Sequence, residues 1–122
     1  MTKVLVIDDE AILLESILEI LTTRGFSAVG AADGRHGLQL AKELVPDVIL
    51  CDVRMPEVNG YEVLKAVRED SLTATIPFIF LTAENKENVL RQGKVFGANG
   101  CLAKPFTTAE LLGAISPWLR DR

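Results

Sequence analysis

Short apolar runs recur along the chain, and the stretches between them carry apolar residues three and four positions apart. The runs are Lys3-Val4-Leu5-Val6-Ile7, Phe26-Ser27-Ala28-Val29, Val48-Ile49-Leu50-Cys51, Pro77-Phe78-Ile79-Phe80-Leu81 and Gly100-Cys101-Leu102-Ala103. The first, third and fourth are almost continuously apolar, as strands must be when helices cover both faces of a parallel sheet. They are read as central strands.

Between the first two runs, Leu13, Leu14, Ile17, Leu18 and Leu21 mark one face of a helix, with Gly25 as its C-terminal stop. A second helix is expected over 37–44, stopped by Pro46. A third is expected over 61–69, with Val63, Leu64 and Val67 turned inward. The fourth, over 86–96, is polar apart from Val89, Leu90 and Phe96, and is expected to be loosely held. The last opens on Thr107-Thr108-Ala109-Glu110, where Thr107 and Glu110 can satisfy each other's backbone donors. Pro117 removes a helical hydrogen bond, at about 3 kcal/mol in a regular interior, so a kink or stop is expected near Ser116.

Five strands alternating with five helices, without repeats or linkers, predict an α/β fold with a doubly wound parallel sheet. A length of 122 residues suits one domain over 1–122. Apolar residues make up 48% and charged residues 25%, which gives disorder no support. The net charge of -4 opposes direct binding to nucleic acid, whose phosphates call for Lys and Arg. No apolar run reaches the roughly 18 residues of a membrane span, so a cytoplasmic protein is expected. Two cysteines and one histidine, His36, cannot make a disulfide scaffold or a zinc cluster.

Ligands of such sheets gather at the carboxyl ends of the strands. There the chain has Asp8-Asp9, Asp52, Thr82 and Lys104. Taken singly, Asp8 or Asp9 could cap the first helix, Asp52 could be a turn residue, Thr82 could cap the fourth helix and Lys104 could be a solvated charge. Together they are chemically coherent. Three acids on one rim repel each other and must share a proton or a multivalent cation, and hard oxygens select Mg²⁺.

The blocks Val4-Leu5-Val6-Ile7-Asp8-Asp9-Glu10, Pro46-Asp47-Val48-Ile49-Leu50-Cys51-Asp52-Val53-Arg54-Met55-Pro56 with Gly60, Leu81-Thr82-Ala83 and Lys104-Pro105-Phe106 resemble the response-regulator receiver domains of two-component signalling. The match runs from Lys3 to the final helix. The resemblance implies a flavodoxin-like five-stranded sheet in the order 2-1-3-4-5. It implies Asp52 as phosphoryl acceptor, Asp9 and Asp52 as direct Mg²⁺ ligands, Asp8 acting through water, and the Arg54 backbone carbonyl completing the set. Lys104, the Thr82 hydroxyl and the Ala83 amide would bind the phosphoryl oxygens, with Ala83 necessarily small.

The expected function is therefore a phosphorylation-dependent signalling switch, not a multiple-turnover enzyme. A histidine kinase or phosphotransfer protein would supply the phosphoryl group. The fourth and fifth helices with the strand between them would meet an unidentified output partner, or a second copy in a homodimer. The resemblance also implies a cis bond between Lys104 and Pro105.

One departure is Cys101, where the family usually carries an aromatic residue or His that swings with the threonine; either the switch works without a ring, or Cys101 is a small core residue. Arg54 and Glu84 are expected to overlook the site, paired across its mouth or merely solvated. Two rivals remain in view. A flavin-binding electron carrier shares the architecture, but Asp8-Asp9-Glu10-Ala11 would repel its phosphate. A receiver that works without phosphorylation usually lacks some of these acids. Ser116-Pro117 would also suit the start of a linker helix in a longer protein.

Overall fold

The computed structural model describes residues 1–119. The chain alternates β1 (Lys3–Ile7), α1 (Ala11–Thr23), β2 (Ser27–Ala31), α2 (Gly34–Leu44), β3 (Val48–Asp52), α3 (Gly60–Glu69), β4 (Phe78–Thr82), α4 (Lys86–Phe96), β5 (Gly100–Ala103) and α5 (Thr108–Ile115). All strand pairs are parallel, in the order β2-β1-β3-β4-β5. This is the flavodoxin-like doubly wound sheet that the pattern and the resemblance imply.

Because successive side chains of a strand point to opposite faces, each central strand feeds two cores. Leu5, Ile7, Cys51 and Phe80 join Ala41, Val63, Leu64, Val67 and Val89 beneath α2, α3 and α4. Val4, Val6, Leu50, Ile79 and Leu81 join Ile17, Leu21, Leu111 and Ile115 beneath α1 and α5. Each Val, Leu, Ile or Phe among them, fully buried, contributes roughly 1.5–3 kcal/mol of apolar transfer energy, which fixes the rim on which the site stands.

α2 begins three residues before the expected start. Gly34 and Gly37 hide its apolar stripe, yet both are packed: a Cβ on Gly37 would lie 2.5 Å from Ile7 Cδ1, and one on Gly34 would lie 2.8 Å from the Val58 carbonyl. Asp33 closes this start by accepting from the His36 amide at 2.8 Å. β2 is shifted toward Ala31 relative to the Phe26-to-Val29 run, because the strand is a half-buried edge of small residues with little apolar signal.

The caps settle two open alternatives. Neither Asp8 nor Asp9 caps α1, whose N-cap is Glu10 without a side-chain bond. Asn85, rather than Thr82, caps α4, accepting from the Asn88 amide at 3.0 Å. At the other end of the chain, Thr107 and Glu110 form the expected capping box, and α5 gives way at Ser116 to a 3-10 turn, Ser116–Trp118.

Cys51 and Cys101 stand either side of Phe80 at one register. Two strand spacings put them roughly 9.6 Å apart, beyond the reach of a disulfide. Both are free and buried. Among the described residues, no helix is long and apolar enough to cross a membrane.

Candidate functional site

The carboxyl ends of β1, β3, β4 and β5 converge on a small acidic rim. Asp8, one residue beyond β1, is fully buried. Its amide donates to the Ala31 carbonyl at 3.0 Å, and its Oδ1 accepts from the Glu10 amide at 2.9 Å. Its Oδ2 is buried and accepts no hydrogen bond. That oxygen lies 3.0 Å from Lys104 Nζ, an ion-pair separation without hydrogen-bond alignment. Asp52 ends β3 with only 6% of its surface exposed, and its Oδ1 lies 3.3 Å from the same ammonium.

Lys104 is therefore no solvated surface charge. Its amide donates to the Thr82 carbonyl at 2.7 Å, continuing the β4–β5 ladder by one residue, and the Lys104–Pro105 bond is cis, as the resemblance implies. Its side chain is 10% exposed and also meets Glu10 Oε1 at 2.9 Å. Thr82 ends β4, buried, with its Oγ1 accepting from the Glu84 amide at 2.9 Å, while Ala83 is exposed beside it.

On the outer lip, Arg54 and Glu84 pair through two hydrogen bonds, Nε to Oε2 and Nη2 to Oε1. Of the two alternatives left by the sequence, the structure shows the pair. Behind Asp52, the Gly60 amide donates to the Val53 carbonyl at 2.9 Å, and a Cβ on Gly60 would stand 2.9 Å from Val53 Cα. Only glycine lets the start of α3 press this closely on the end of β3.

Burial pushes the Asp52 carboxyl up to about 6, and repulsion from Asp8 adds to it, while Lys104 works the other way. Burial alone would lower the Lys104 ammonium, but its contacts with Glu10 and Asp8 and the charge of Asp52 outweigh that and raise it. The ammonium is thus firmly charged and stands where a cation is needed.

Three carboxylate oxygens, from Asp8, Glu10 and Asp52, can be placed within 4.8 Å of one another. Asp9, named from the resemblance, is exposed and outside this group, although its charge helps to raise Asp52. Glu10 was given no role by the sequence. Its signal is only that a third acid follows the Asp pair, with a side chain one methylene longer. The set suits a hard divalent cation: all donors are oxygens, one is buried without a hydrogen bond, and their mutual repulsion is only partly offset by one ammonium.

At the expected switch position, Cys101 is buried with its thiol pushed up to about 11 by burial. The ring beside it belongs to Phe80 of β4, its register neighbour, against which Tyr61 of α3 packs edge-on, centroids 5.2 Å apart.

The model of the response regulator receiver domain family matches residues 4–116, and the chain belongs to that family. The transcriptional regulator CpxR of Escherichia coli is 38% identical over 98% of this chain and 50% of its own length. The DNA-binding dual master transcriptional regulator RpaA of Synechocystis is 36% identical, with 98% and 50% covered. The chain thus spans about half the length of the curated relatives it matches. Among solved structures, the chemotaxis protein CheY4 of Vibrio cholerae superposes with a TM-score of 0.93 at 38% identity, covering 98% of this chain and 99% of that one. The receiver domain of the sensor histidine kinase PA1611 from Pseudomonas aeruginosa, solved with a magnesium ion coordinated in its active-site cleft, gives 0.87 at 29% identity, with 96% of each chain covered.

Proposed function

We propose that the chain is a phosphorylation-dependent switch whose acceptor is Asp52, supplied by a histidine kinase or phosphotransfer protein. The observation that carries this reading is that Asp8 and Asp52 meet one ammonium, Lys104 Nζ, at 3.0 and 3.3 Å, on the rim where Thr82 also ends its strand.

In the reaction, an Asp52 carboxylate oxygen forms a bond to phosphorus while the donor's phosphorus–nitrogen bond breaks, and the donor nitrogen leaves with a proton. Lys104 exchanges its contacts with Asp8 and Glu10 for a phosphoryl oxygen, keeping its charge on the reacting group. The Thr82 hydroxyl and the Ala83 amide donate to another. Mg²⁺ would be held by Asp8, Asp9, Asp52 and the Arg54 carbonyl, and would neutralise phosphoryl charge. The receiver of PA1611, with magnesium in its cleft, supports that choice of ion. Because Asp52 resists losing its proton below about pH 6, its nucleophilic form is favoured by a cation beside it.

The product is an acyl phosphate that water removes slowly, so the chain catalyses its own phosphorylation and dephosphorylation without turning over a substrate. The added charge draws the Thr82 hydroxyl inward and shifts α4, altering the α4-β5-α5 face for an output partner or a second copy. The location is cytoplasmic, where such donors act.

The test is incubation with Mg²⁺ and acetyl phosphate or phosphoramidate, read by intact mass, with Asp52→Asn alongside. A gain of one phosphoryl group in the wild type only is expected. A folded, Mg²⁺-binding wild type without that gain would instead mark a module that works unphosphorylated.

A further inference from the structure

Arg68, in the last turn of α3, takes no part in the site described above. Its guanidinium reaches across to the far end of α4. Nε and Nη2 both donate to the Gly97 carbonyl, at 3.1 and 2.8 Å. Nη2 also donates to Asn99 Oδ1 at 2.8 Å, and Nη1 to the Ile76 carbonyl at 2.7 Å. Asn99 Oδ1 in turn accepts from the Phe78 amide at 2.9 Å. Among the described residues, no carboxylate pairs with Arg68, and partial burial pulls its ionisation downward. A half-buried cation held only by neutral carbonyl and amide oxygens is a geometric device, because three acceptors from two segments must stay in place to satisfy one planar fork.

What it holds is the carboxyl end of α4. Gly97 terminates the helix in the left-handed region, with φ of 91°, and its amide and that of Ala98 return to the Lys94 and Gly93 carbonyls at 3.1 and 3.0 Å. The Arg68 charge therefore sits where the helix dipole is negative. A Cβ on Gly97 would stand 3.1 Å from Arg68 Nε, so glycine serves both the turn and the approach. Gly93 adds close packing at this end, since a Cβ there would come within 2.7 Å of Phe80 Cε2. The amino end of α4 has much less. Lys86, Glu87 and Asn88 are exposed, and the Asn85 cap and the buried Val89 are what hold it.

We propose that Arg68 is the fixed pivot of α4: it pins the carboxyl end of the helix, so that a displacement begun at Thr82 becomes a swing of the amino end about Gly97. The swing rests on the phosphorylation reading, whereas the pin does not. The pin also ties α3, which follows the acceptor strand, to the helix that follows Thr82, so the two sides of the site share one rigid reference.

Amide hydrogen exchange resolved by residue tests both parts. In the unphosphorylated chain, Arg68→Ala should speed exchange at Gly97, Ala98 and Asn99 by about tenfold or more, while Asn88 and Val89 change by less than about twofold. Arg68→Lys keeps the charge without the fork, and should fall between the two even if the alanine variant folds poorly. A uniform acceleration over the whole chain, or none at 97–99, would overturn the pin. With phosphorylation verified by mass, wild-type exchange should change over 83–90 and stay within about twofold over 97–99. Equal changes at both ends would overturn the swing while leaving the switch itself standing. Absence of any mass gain would remove the switch and the swing together, with the unphosphorylated comparison still deciding the pin.

Discussion

α3 and α4 lie side by side on one face of the sheet and are nearly equal in length, ten residues against eleven, yet they are held differently. α3 follows the strand that ends in Asp52. It buries Val63, Leu64 and Val67, and its start is closed by a reciprocal capping box between Asn59 and Glu62, with both bonds at 3.0 Å. α4 follows the strand that ends in Thr82, and it buries Val89 and Gly93 alone. The proposed acceptor thus stands on a rigid floor, while the hydroxyl that would sense the phosphoryl group adjoins an element with little apolar anchorage. A switch needs both properties, and the chain separates them by one strand.

Matched truncations would break this contrast most directly. Val67 and Val89 are both fully buried, at 1% and 0% exposure, and lose the same two methyl groups on conversion to alanine. Val67→Ala should cost about 2–3 kcal/mol in urea unfolding, whereas Val89→Ala should cost nearer 1 kcal/mol, because α4 can settle into the gap. Equal costs would mean that α4 is as firmly seated as its neighbour.

The next effect sharpens what the rigid floor carries. The Asp52 carboxyl holds its proton to about 6 in the folded chain against an ordinary 3.8. As pH rises from about 4 to 6, the unfolded chain releases that proton first, so stability falls, by roughly 2–3 kcal/mol once above 6. Lys104, raised above its ordinary 10.5, contributes fully throughout this window and fades only in strong alkali. Without Mg²⁺, Asp52→Asn should therefore gain roughly 2 kcal/mol over wild type at pH 7.5 and almost nothing near pH 4. Urea midpoints at both values decide it, and a difference independent of pH would show that the strain is not ionic.

The smallest effect lies on the lip between the two helices. Arg54, between β3 and α3, pairs with Glu84, between β4 and α4. If the pair screens the acyl phosphate from water, Arg54→Ala should shorten the phosphoryl lifetime about threefold. An unchanged decay would reduce the pair to a surface contact.

The sequence made much of this legible because the three central strands are almost wholly apolar, and each ends on a polar residue or is followed at once by one. Asp52, Thr82 and Lys104 could be read off as strand ends, and the order of four motifs supplied the rest. What escaped was governed by side-chain reach and by glycine. Glu10 gives no pattern that separates it from any exposed acid, yet one more methylene brings it to Lys104. The start of α2 was hidden because Gly34 and Gly37 are core residues without side chains to count. Arg68 carries no sequence signal at all, since its acceptors are backbone and amide oxygens, one eight residues on at Ile76 and the others about thirty residues on at Gly97 and Asn99.

The two cysteines beside Phe80 have a practical consequence. They occupy matching places on β3 and β5 but differ in cover, Cys51 sealed within the middle of the sheet and Cys101 near its edge beneath α4. A thiol reagent would reach the outer sulfur through small, frequent openings of one helix, and the inner sulfur only when the strands part. One molecule thus carries two natural probes of different depth, and the ratio of their labelling rates would separate local breathing from global unfolding without any engineered tag.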